Sequence, residues 1–404
     1  MTALKVLISG SGIAGPALGL WLGRAGHDVT IVERDMEARS GGQAVDVRGA
    51  ARTVLERTGL MADVIAAGLH EAGFAYVGPR GDVDVRVPVT AFGGDGIVAE
   101  VEIFRGALSE ILRDAARAYV IERRGDSITS LVQHERGVRV AFAHGEEQEF
   151  DLVVGAEGTR SQVRRLAFDA PTAVRPIGAI MSYFSTPLSA PERGWFHMHS
   201  APGRRMAAVR PNLDGGTTAL LSFATGAGAA AAARGAVLPR TLADQHALLR
   251  SVFADVGWLA PKLLDAMPHA SDFHVDELAQ VRLDGWSRGR IVLVGDAAHS
   301  PSPLTGMGTS LALVGAYVLA GELTRAAGDH RIAFARYEQV MRDYVRRGQQ
   351  LPPGGVDGFL PRTRLAIGAR NASMRAMTSP PLSRLMSRVF SQSDGFDLPD
   401  YGRP

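Results

Sequence analysis

Three features of the sequence predict an α/β fold: a Rossmann-like nucleotide-binding domain, interrupted by a strand-rich insertion and followed by a C-terminal helix. Residues 5–34, KVLISGSGIAGPALGLWLGRAGHDVTIVER, put three spaced glycines between an apolar run and a helix-like segment, then end a second apolar run on an acid. Residues 290–296, RIVLVGD, repeat the apolar strand that ends on an acid. Between about 171 and 280 the chain is rich in strand signals.

Residues 4–8, LKVLI, read as a short buried strand stopped by Ser9-Gly10. From Ile13 to Ala25 the apolar residues Ala17, Leu18, Trp21, Leu22 and Ala25 recur at helical spacing, with Gly26 as the stop. Pro16 is compatible with the first helical turn. Val29 to Val32 is the second strand. Gly10, Gly12 and Gly15 form a G-x-G-x-x-G pattern at the first turn, and Glu33 closes the unit. Gly10 permits a tight turn, Gly12 lets the backbone approach a pyrophosphate, and Gly15 lets the helix lie close on the sheet, while free helix N–H groups attract phosphates. Glu33 is placed to accept hydrogen bonds from ribose hydroxyls. Its charge repels a 2′-phosphate, so the adenosine half belongs to FAD or NAD rather than NADP. Arg34 is placed either along the adenine face or in solvent.

The remaining elements follow in order. Residues 41–75 hold a glycine-rich loop and one helix, Ala50 to Ala67; residues 76–103 alternate like strands. A helix spans Gly106 to Ala118, and three short strands lead to Asp151. Strand signals return over 175–225, with turns at PLSAPERG and NLDGG. GAGAAAAARGA, 226–236, is a low-complexity loop or frayed helix start. Helical patterns run from Arg240 to Leu264, from near Thr309, from Ile332 to Arg347 and from Thr363 to Met377, the last leading to a polar tail. The expected organisation is discontinuous: 1–75, 104–170 and 281–345 bind the cofactor, 76–103 and 171–280 bind substrate, and 346–404 form a C-terminal helical segment.

Composition narrows the function. At 404 residues the chain can bury two domains or one with a large insertion. Lysine plus arginine (44) barely exceeds aspartate plus glutamate (42), which points to no nucleic-acid or membrane-surface partner. With no cysteine there is no disulfide, thiolate metal site or cysteine nucleophile, which suits the cytoplasm. The N-terminus enters a strand at once and leaves no room for a signal peptide, and the apolar run Leu311 to Gly321 is too short to span a bilayer. H-E-x-x-H and G-x-S-x-G are absent, so no metal is expected and serine hydrolase chemistry has no support.

Two further motifs identify a family. DLVVGAEGTRSQVRR (151–165) resembles the D-x-V-x-G-A-D-G-x-x-S-x-V-R motif of FAD-dependent aromatic hydroxylases, the group A flavoprotein monooxygenases. RIVLVGDAAHSPSPLTGMGTSLAL (290–313) resembles their G-D-A-A-H-x-x-x-P-x-x-G-x-G motif, and with the N-terminal glycines the resemblance spans nearly the whole chain. Length and GGQAVDVRG look closest to the tetracycline-inactivating and polyketide-modifying branch.

The resemblance implies tightly held FAD, NAD(P)H as transient reductant, and O2 giving a flavin C4a-hydroperoxide that hydroxylates an aromatic or polyketide-type molecule. No second dinucleotide fingerprint is visible, which fits transient nicotinamide binding. Asp296, at a strand's C-terminal end, suits polyol hydroxyls, and the resemblance implies the ribityl chain of FAD. Gly306 and Gly308, flanking Met307, would turn backbone N–H groups toward the flavin pyrimidine edge, on a loop stiffened by Pro301 and Pro303. Arg105 matches the arginine that opens a helix near the cofactor in relatives, and Arg39 is a weaker candidate of the same kind. Asp151, Arg164 and His299 are expected to be structural. The chain departs from the family pattern at Glu157, usually aspartate, at Ser310, often asparagine, and at Gly315, often an acid. The W-x-W-x-I-P signature of flavin-dependent halogenases is missing.

Substrate contacts are expected from the strand-rich insertion, with His197 and His199 on one face of a strand, Arg210 and Tyr183 as candidates. Two other readings remain open at this stage: an FAD-dependent reductase or isomerase of a lipid-like substrate without oxygen insertion, and a catalytically silent FAD-binding module. Oligomeric state leaves no readable signal.

Overall fold

The computed structural model describes residues 3–37, 43–91, 101–213, 215–225, 238–379, 382–383 and 395–402. The chain opens with β1 (Lys5–Ser9), α1 (Ala14–Arg24) and β2 (Asp28–Glu33), close to the limits set by apolar periodicity. After β3 (Ala44–Asp46) come two helices, α2 (Ala50–Thr58) and α3 (Met61–Ala66), where periodicity predicts one over Ala50–Ala67. Gly59 breaks it: its φ of +83° is left-handed, and Leu60 N–H bonds back to Leu55 O at 3.0 Å. Then follow β4 (Gly73–Val77), β5 (Val83–Pro88), β6 (Glu102–Phe104) and α4 (Arg105–Ala116).

Four strands rather than three precede Asp151: β7 (Val120–Arg124), β8 (Ile128–Gln133), β9 (Val138–Phe142) and β10 (Gln148–Phe150). β10, three residues long, is too short to register a period of two. β11 (Leu152–Gly155), α5 (Gln162–Ala167), β12 (Val174–Thr186), β13 (Trp195–Ala201), β14 (Arg205–Pro211) and β15 (Thr217–Ala224) follow. Segment 226–236 and Arg39 lie outside the described residues. The helical stretch after 240 divides into α6 (Leu242–Phe253) and α7 (Ala260–Ala266), with Trp258 between them at a φ of +56°. The chain ends with β16 (His274–Val281), β17 (Ser287–Arg288), β18 (Ile291–Leu293), α8 (Asp296–His299), α9 (Gly308–Arg325), α10 (His330–Gly348), α11 (Gly355–Phe359) and α12 (Arg364–Thr378).

Two large sheets organise these elements. The first has the order β17-β18-β11-β1-β2-β7, parallel except for β17. β1, β11 and β18 are buried on both faces, which explains their unbroken apolar runs. α1 packs on α9 and α4, and Leu18, Val314, Val153 and Val292 share one core with Val140 and Phe150 of the small β8–β9–β10 sheet. The second sheet has the order β16-β12-β15-β14-β13-β4-β5, so residues 73–88 join residues 174–281 across a long gap in sequence. β4 begins at Gly73, inside the segment that sequence assigns to the cofactor domain. One face of this sheet, with Ala207, Val209, Leu221 and Phe223, is covered by Leu249 and Phe253 of α6 and Leu263 of α7. Met181, Met198 and Met206 face the other way, with Tyr183, Phe196 and Leu220, and Leu304, Phe359, Met374 and Met377 pack there. Among the described residues no helix is long and apolar enough to cross a membrane.

The polar tail is tied down. Residues 395–402 return to α9 and α10: Phe396 stacks on Tyr344 of α10 at 4.5 Å, while on α9 Tyr317 Oη donates to Pro399 O at 2.9 Å and Glu322 Oε1 accepts from Tyr401 Oη at 2.7 Å. Glu322 is buried. Burial, reinforced by the Glu322 carboxylate, raises the pKa of the Tyr401 hydroxyl. Tyr401→Phe deprives a buried carboxylate of one of its donors, leaving Arg325 at 3.4 Å, and should lower stability by roughly 1–3 kcal/mol; urea unfolding at neutral pH measures it, and an unchanged midpoint would show that the contact does not hold the tail.

Candidate active site

The glycine turn joins β1 to α1 at the C-terminal ends of the parallel strands. Gly10 has a φ of +108°, and a Cβ there would lie 2.6 Å from Ala156 O, so both conformation and space demand glycine. A Cβ on Gly15 would lie 1.9 Å from Gly10 O, so α1 rests directly on the turn. At Gly12 the nearest atom to such a Cβ is Arg105 Nη2, at 3.5 Å. α4 holds the turn from that side, Ser109 Oγ donating to Gly12 O at 3.0 Å and to Ser11 O at 3.2 Å. Glu33 accepts from Ser11 N–H at 2.7 Å and Asp35 N–H at 3.0 Å, which aims its carboxylate at the turn. Arg34 is exposed, 3.5 Å from Asp35.

Asp296 opens α8 just beyond β18. Burial raises its pKa, opposed by Arg105 and a hydrogen bond with Ser300. Asp296 Oδ1 lies 3.9 Å from the position of a Gly308 Cβ. Five separate stretches of chain, at 10–15, 33, 105, 296 and 306–308, therefore meet at one end of the six-stranded sheet. A glycine where a side chain would fill the space, N–H groups of the turn, an acid beyond each of two parallel strands and a guanidinium between them fit a dinucleotide with a polyol chain.

The loop into α9 is strained. Ser302, a residue the sequence reading passed over, has a φ of +76° ahead of Pro303, and its buried Oγ has no hydrogen-bond partner. Such a conformation costs about 1–3 kcal/mol, and strained backbone gathers at functional sites. Gln280 Nε2 donates to Pro301 O at 3.0 Å and steadies it. Pro303–Thr305 form one 3-10 turn, Met307 N–H bonds to Thr305 Oγ1 at 3.2 Å, and a Cβ on Gly306 would lie 2.9 Å from Asp46 Oδ2.

The departures from the family pattern have local explanations. Glu157 accepts from Ser9 Oγ at 2.8 Å, Val163 N–H at 3.0 Å and Ser161 Oγ, so the longer acid ties β1 to the start of α5. Gly315 faces Val294 and Tyr337, with a Cβ position 3.5 Å from Val294 Cγ2, which leaves little depth for an acid. Ser310 Oγ donates to Arg48 O at 3.4 Å. The three residues read as structural behave so. Asp151 accepts from Lys5 N–H at 2.7 Å, and buried Arg164 donates to Ala297 O at 2.8 Å. His299 lies 3.3 Å from Tyr337 Oη and meets Trp286 edge-on, and burial lowers its pKa to about 3, so it stays neutral.

The four substrate-side candidates separate. Tyr183 and Arg210 share the sheet face that carries Met181, Phe196 and Met198; Arg210 stacks 4.4 Å over Phe196. His197 and His199 do share a strand face, but it is the opposite one, opposite Val209 and Ala207 under α6 and α7. Each is buried with Nδ1 against a backbone carbonyl, Trp195 O at 3.0 Å and Val77 O at 2.9 Å, and burial lowers the His197 pKa. Three carboxylates escaped the sequence reading. Glu71 and Glu102 lie 2.9 Å and 3.5 Å from Arg210, and Asp46 pairs with Arg48 at 2.7 Å. Only Asp46 falls in a stretch that drew attention, GGQAVDVRG; lone glutamates at 71 and 102 carry no motif.

Comparison with known proteins gives the family. The model of the FAD binding domain matches residues 3–338. A flavin-dependent monooxygenase of Legionella longbeachae is 33% identical, covering 98% of both chains. Monooxygenase CTB7 of Cercospora beticola is 34% identical over 98% of this chain and 97% of that protein. The crystal structure of the tetracycline destructase Tet(55) superposes with a TM-score of 0.80 at 32% identity, covering 99% of each chain, as the likeness to the tetracycline-inactivating branch implies. The glycine turn, the acids beyond β2 and β18 and these relatives together make the chain a member of the FAD-binding family of flavin-dependent monooxygenases.

Proposed function

We propose that the enzyme is a single-component, NAD(P)H-dependent hydroxylase of aromatic or polyketide-type small molecules, acting in the cytoplasm. The observation that carries the cofactor half of this reading is Arg105, which faces Gly12 on one side and Asp296 on the other. In the reading, N–H groups of the Gly10–Gly15 turn take the pyrophosphate, Glu33 the adenosine ribose, and Asp296 the ribityl hydroxyls. Arg34 can lie over the adenine. The Pro303–Gly308 loop presents Gly306, Met307 and Gly308 at the N-terminus of the 18-residue α9, whose dipole favours negative charge on the ring. Bound FAD supplies the hydride-accepting and oxygen-activating chemistry.

The face with Met181, Tyr183, Phe196, Met198 and Leu220 is the wall assigned to substrate, since an apolar, aromatic surface excludes water and suits a flat, largely uncharged guest. α11 and α12 close it with Phe359, Met374 and Met377. Residues 1–75, 104–170 and 281–345 are thus assigned to the cofactor and 76–103 and 171–280 to substrate, with 346–404 as a C-terminal helical segment that contributes α11 and α12. The similarity to a tetracycline destructase supports a fused-ring polyketide as the first class to test.

Asp296→Ala and Gly12→Val should each weaken FAD binding by tenfold or more, about 1.4 kcal/mol at the least, so that both purify with less oxidised flavin, read as a lower visible absorbance at ~450 nm relative to protein. Full flavin in either variant would refute the cofactor placement. Tetracyclines, anthraquinone-like polyketides and simple phenols, screened with NADH and with NADPH, should include a compound that stimulates NAD(P)H oxidation and gains the mass of one oxygen atom. Turnover that changes the substrate without oxygen incorporation would overturn the hydroxylase reading in favour of a reductase or isomerase.

A further inference from the structure

Behind the Gly306 loop lies a buried set of charges that the cofactor motifs do not use. Asp46 on β3 and Glu102 on β6 are directly opposed in a two-stranded antiparallel sheet, so their carboxyls leave the same face. Arg48 lies 2.7 Å from Asp46; Arg210, arriving from β14 of the other sheet, lies 3.5 Å from Glu102 and 2.9 Å from Glu71. The side chains are largely withdrawn from water, with Glu71 4% and Glu102 10% exposed. Glu102 is within hydrogen-bonding reach of both Asp46 and Glu71, a contact between carboxyls that needs a proton.

Charge conservation constrains this group. Among the described residues three carboxylates face two guanidiniums, which leaves one negative charge in excess, and an uncompensated buried carboxylate takes a proton rather than stay ionised. One proton shared by Asp46 and Glu102 makes the set neutral. Burial raises both carboxyls to about 7, opposed at Asp46 chiefly by Arg48 and at Glu102 by Arg210. The groups facing the pair are Arg48 beside β3, Arg210 from β14 and Glu71 from the segment before β4; Tyr183 from β12 faces Arg210. The pair titrates as a unit.

The set also has two ends. Asp46 Oδ2 touches the flavin-side loop, 2.9 Å from the Gly306 Cβ position. Glu71 lies between His70 and Ala72, both exposed. We propose that Asp46, Glu102 and Glu71 form a chain that stores one proton beside the Gly306 loop and exchanges it with solvent at residues 70–72, with Arg48 and Arg210 as positioning residues that set its charge.

The role in turnover rests on the hydroxylase reading. NAD(P)H brings a hydride, and release of the second oxygen atom of O2 as water consumes one further proton. The O–H bond of the shared carboxyl breaks, the proton goes to the oxygen that leaves as water, and the carboxylate regains a proton from solvent through Glu71. No electrons pass along the chain.

Infrared spectroscopy of the FAD-loaded enzyme tests the store directly. The wild type should show a protonated-carboxyl band that bleaches with a midpoint at about pH 7, and Glu102→Gln and Asp46→Asn should each remove that transition. Equilibrium unfolding gives a second readout. A folded pKa above the unfolded one means that stability is full below the unfolded pKa and falls as pH rises through about 7; that fall should be flattened in Glu102→Gln. The kcat profile should lose its break near neutrality in the same variant, and Glu71→Gln, which removes the excess charge and a group that raises Glu102, should weaken the band at neutral pH and slow turnover several-fold. Absence of the band, or profiles identical in wild type and Glu102→Gln, would overturn the proposal even if oxygen insertion is found. A band that titrates as expected in an enzyme that inserts no oxygen would leave the store standing and refute the reaction assigned to it.

Discussion

α1 lies so close on the turn that precedes it that a side chain at Gly15 would collide with the carbonyl of Gly10. With Gly15 seated on the carbonyl of Gly10, the helix has one height and one direction relative to β1, and its free N–H groups point past the ends of the parallel strands. The rest of the site is arranged around that direction. α4 comes down on the turn through Ser109 and carries Arg105 across it, and β18 runs parallel to β11 so that Asp296 emerges beside it. Because β1, β11 and β18 are sealed on both faces, their ends are the place where the polar chemistry of this layer can meet a ligand.

The second sheet has a different task. Its two faces differ in kind: one is buried under α6 and α7, and the other, lined with methionine and aromatic side chains, looks toward α11, α12 and the loop before α9. Arg210 reaches from this face to the β3–β6 ribbon, where it arrives among acids. Its guanidinium is matched by Glu71 and Glu102, so it orders the joint between β14 and the short β3–β6 ribbon. Burying such a set is unfavourable unless charge and hydrogen bonds balance, which is the ground for assigning a shared proton to Asp46 and Glu102.

Much of the first layer was legible from residues alone. The spacing of Gly10, Gly12 and Gly15, the apolar runs around them and the acid at 33 are local signals, because a turn, a helix start and a buried parallel strand each constrain residues a few positions apart. Short elements were not: β10 has too few residues to show alternation, and the break at Gly59 sits inside a stretch whose apolar spacing suits a single helix. The histidines of WFHMHS were correctly read as neighbours on one strand face, yet strand periodicity says nothing about which face meets a ligand, and theirs lies under helices.

The sequence by itself determined the nucleotide-binding unit, the family and the acid beyond each of two strands, because these depend on spacing within short windows. Only the tertiary structure decided which side of the second sheet faces the site, that Glu157 serves α5, that Ser302 is strained, and that Asp46, Glu71, Glu102 and Arg210 share one buried volume. The shared volume comes from pairings between segments distant in sequence, Arg210 meeting Glu102 across 108 residues, which leave no local pattern, and desolvation acts on such a group only once every member is in place.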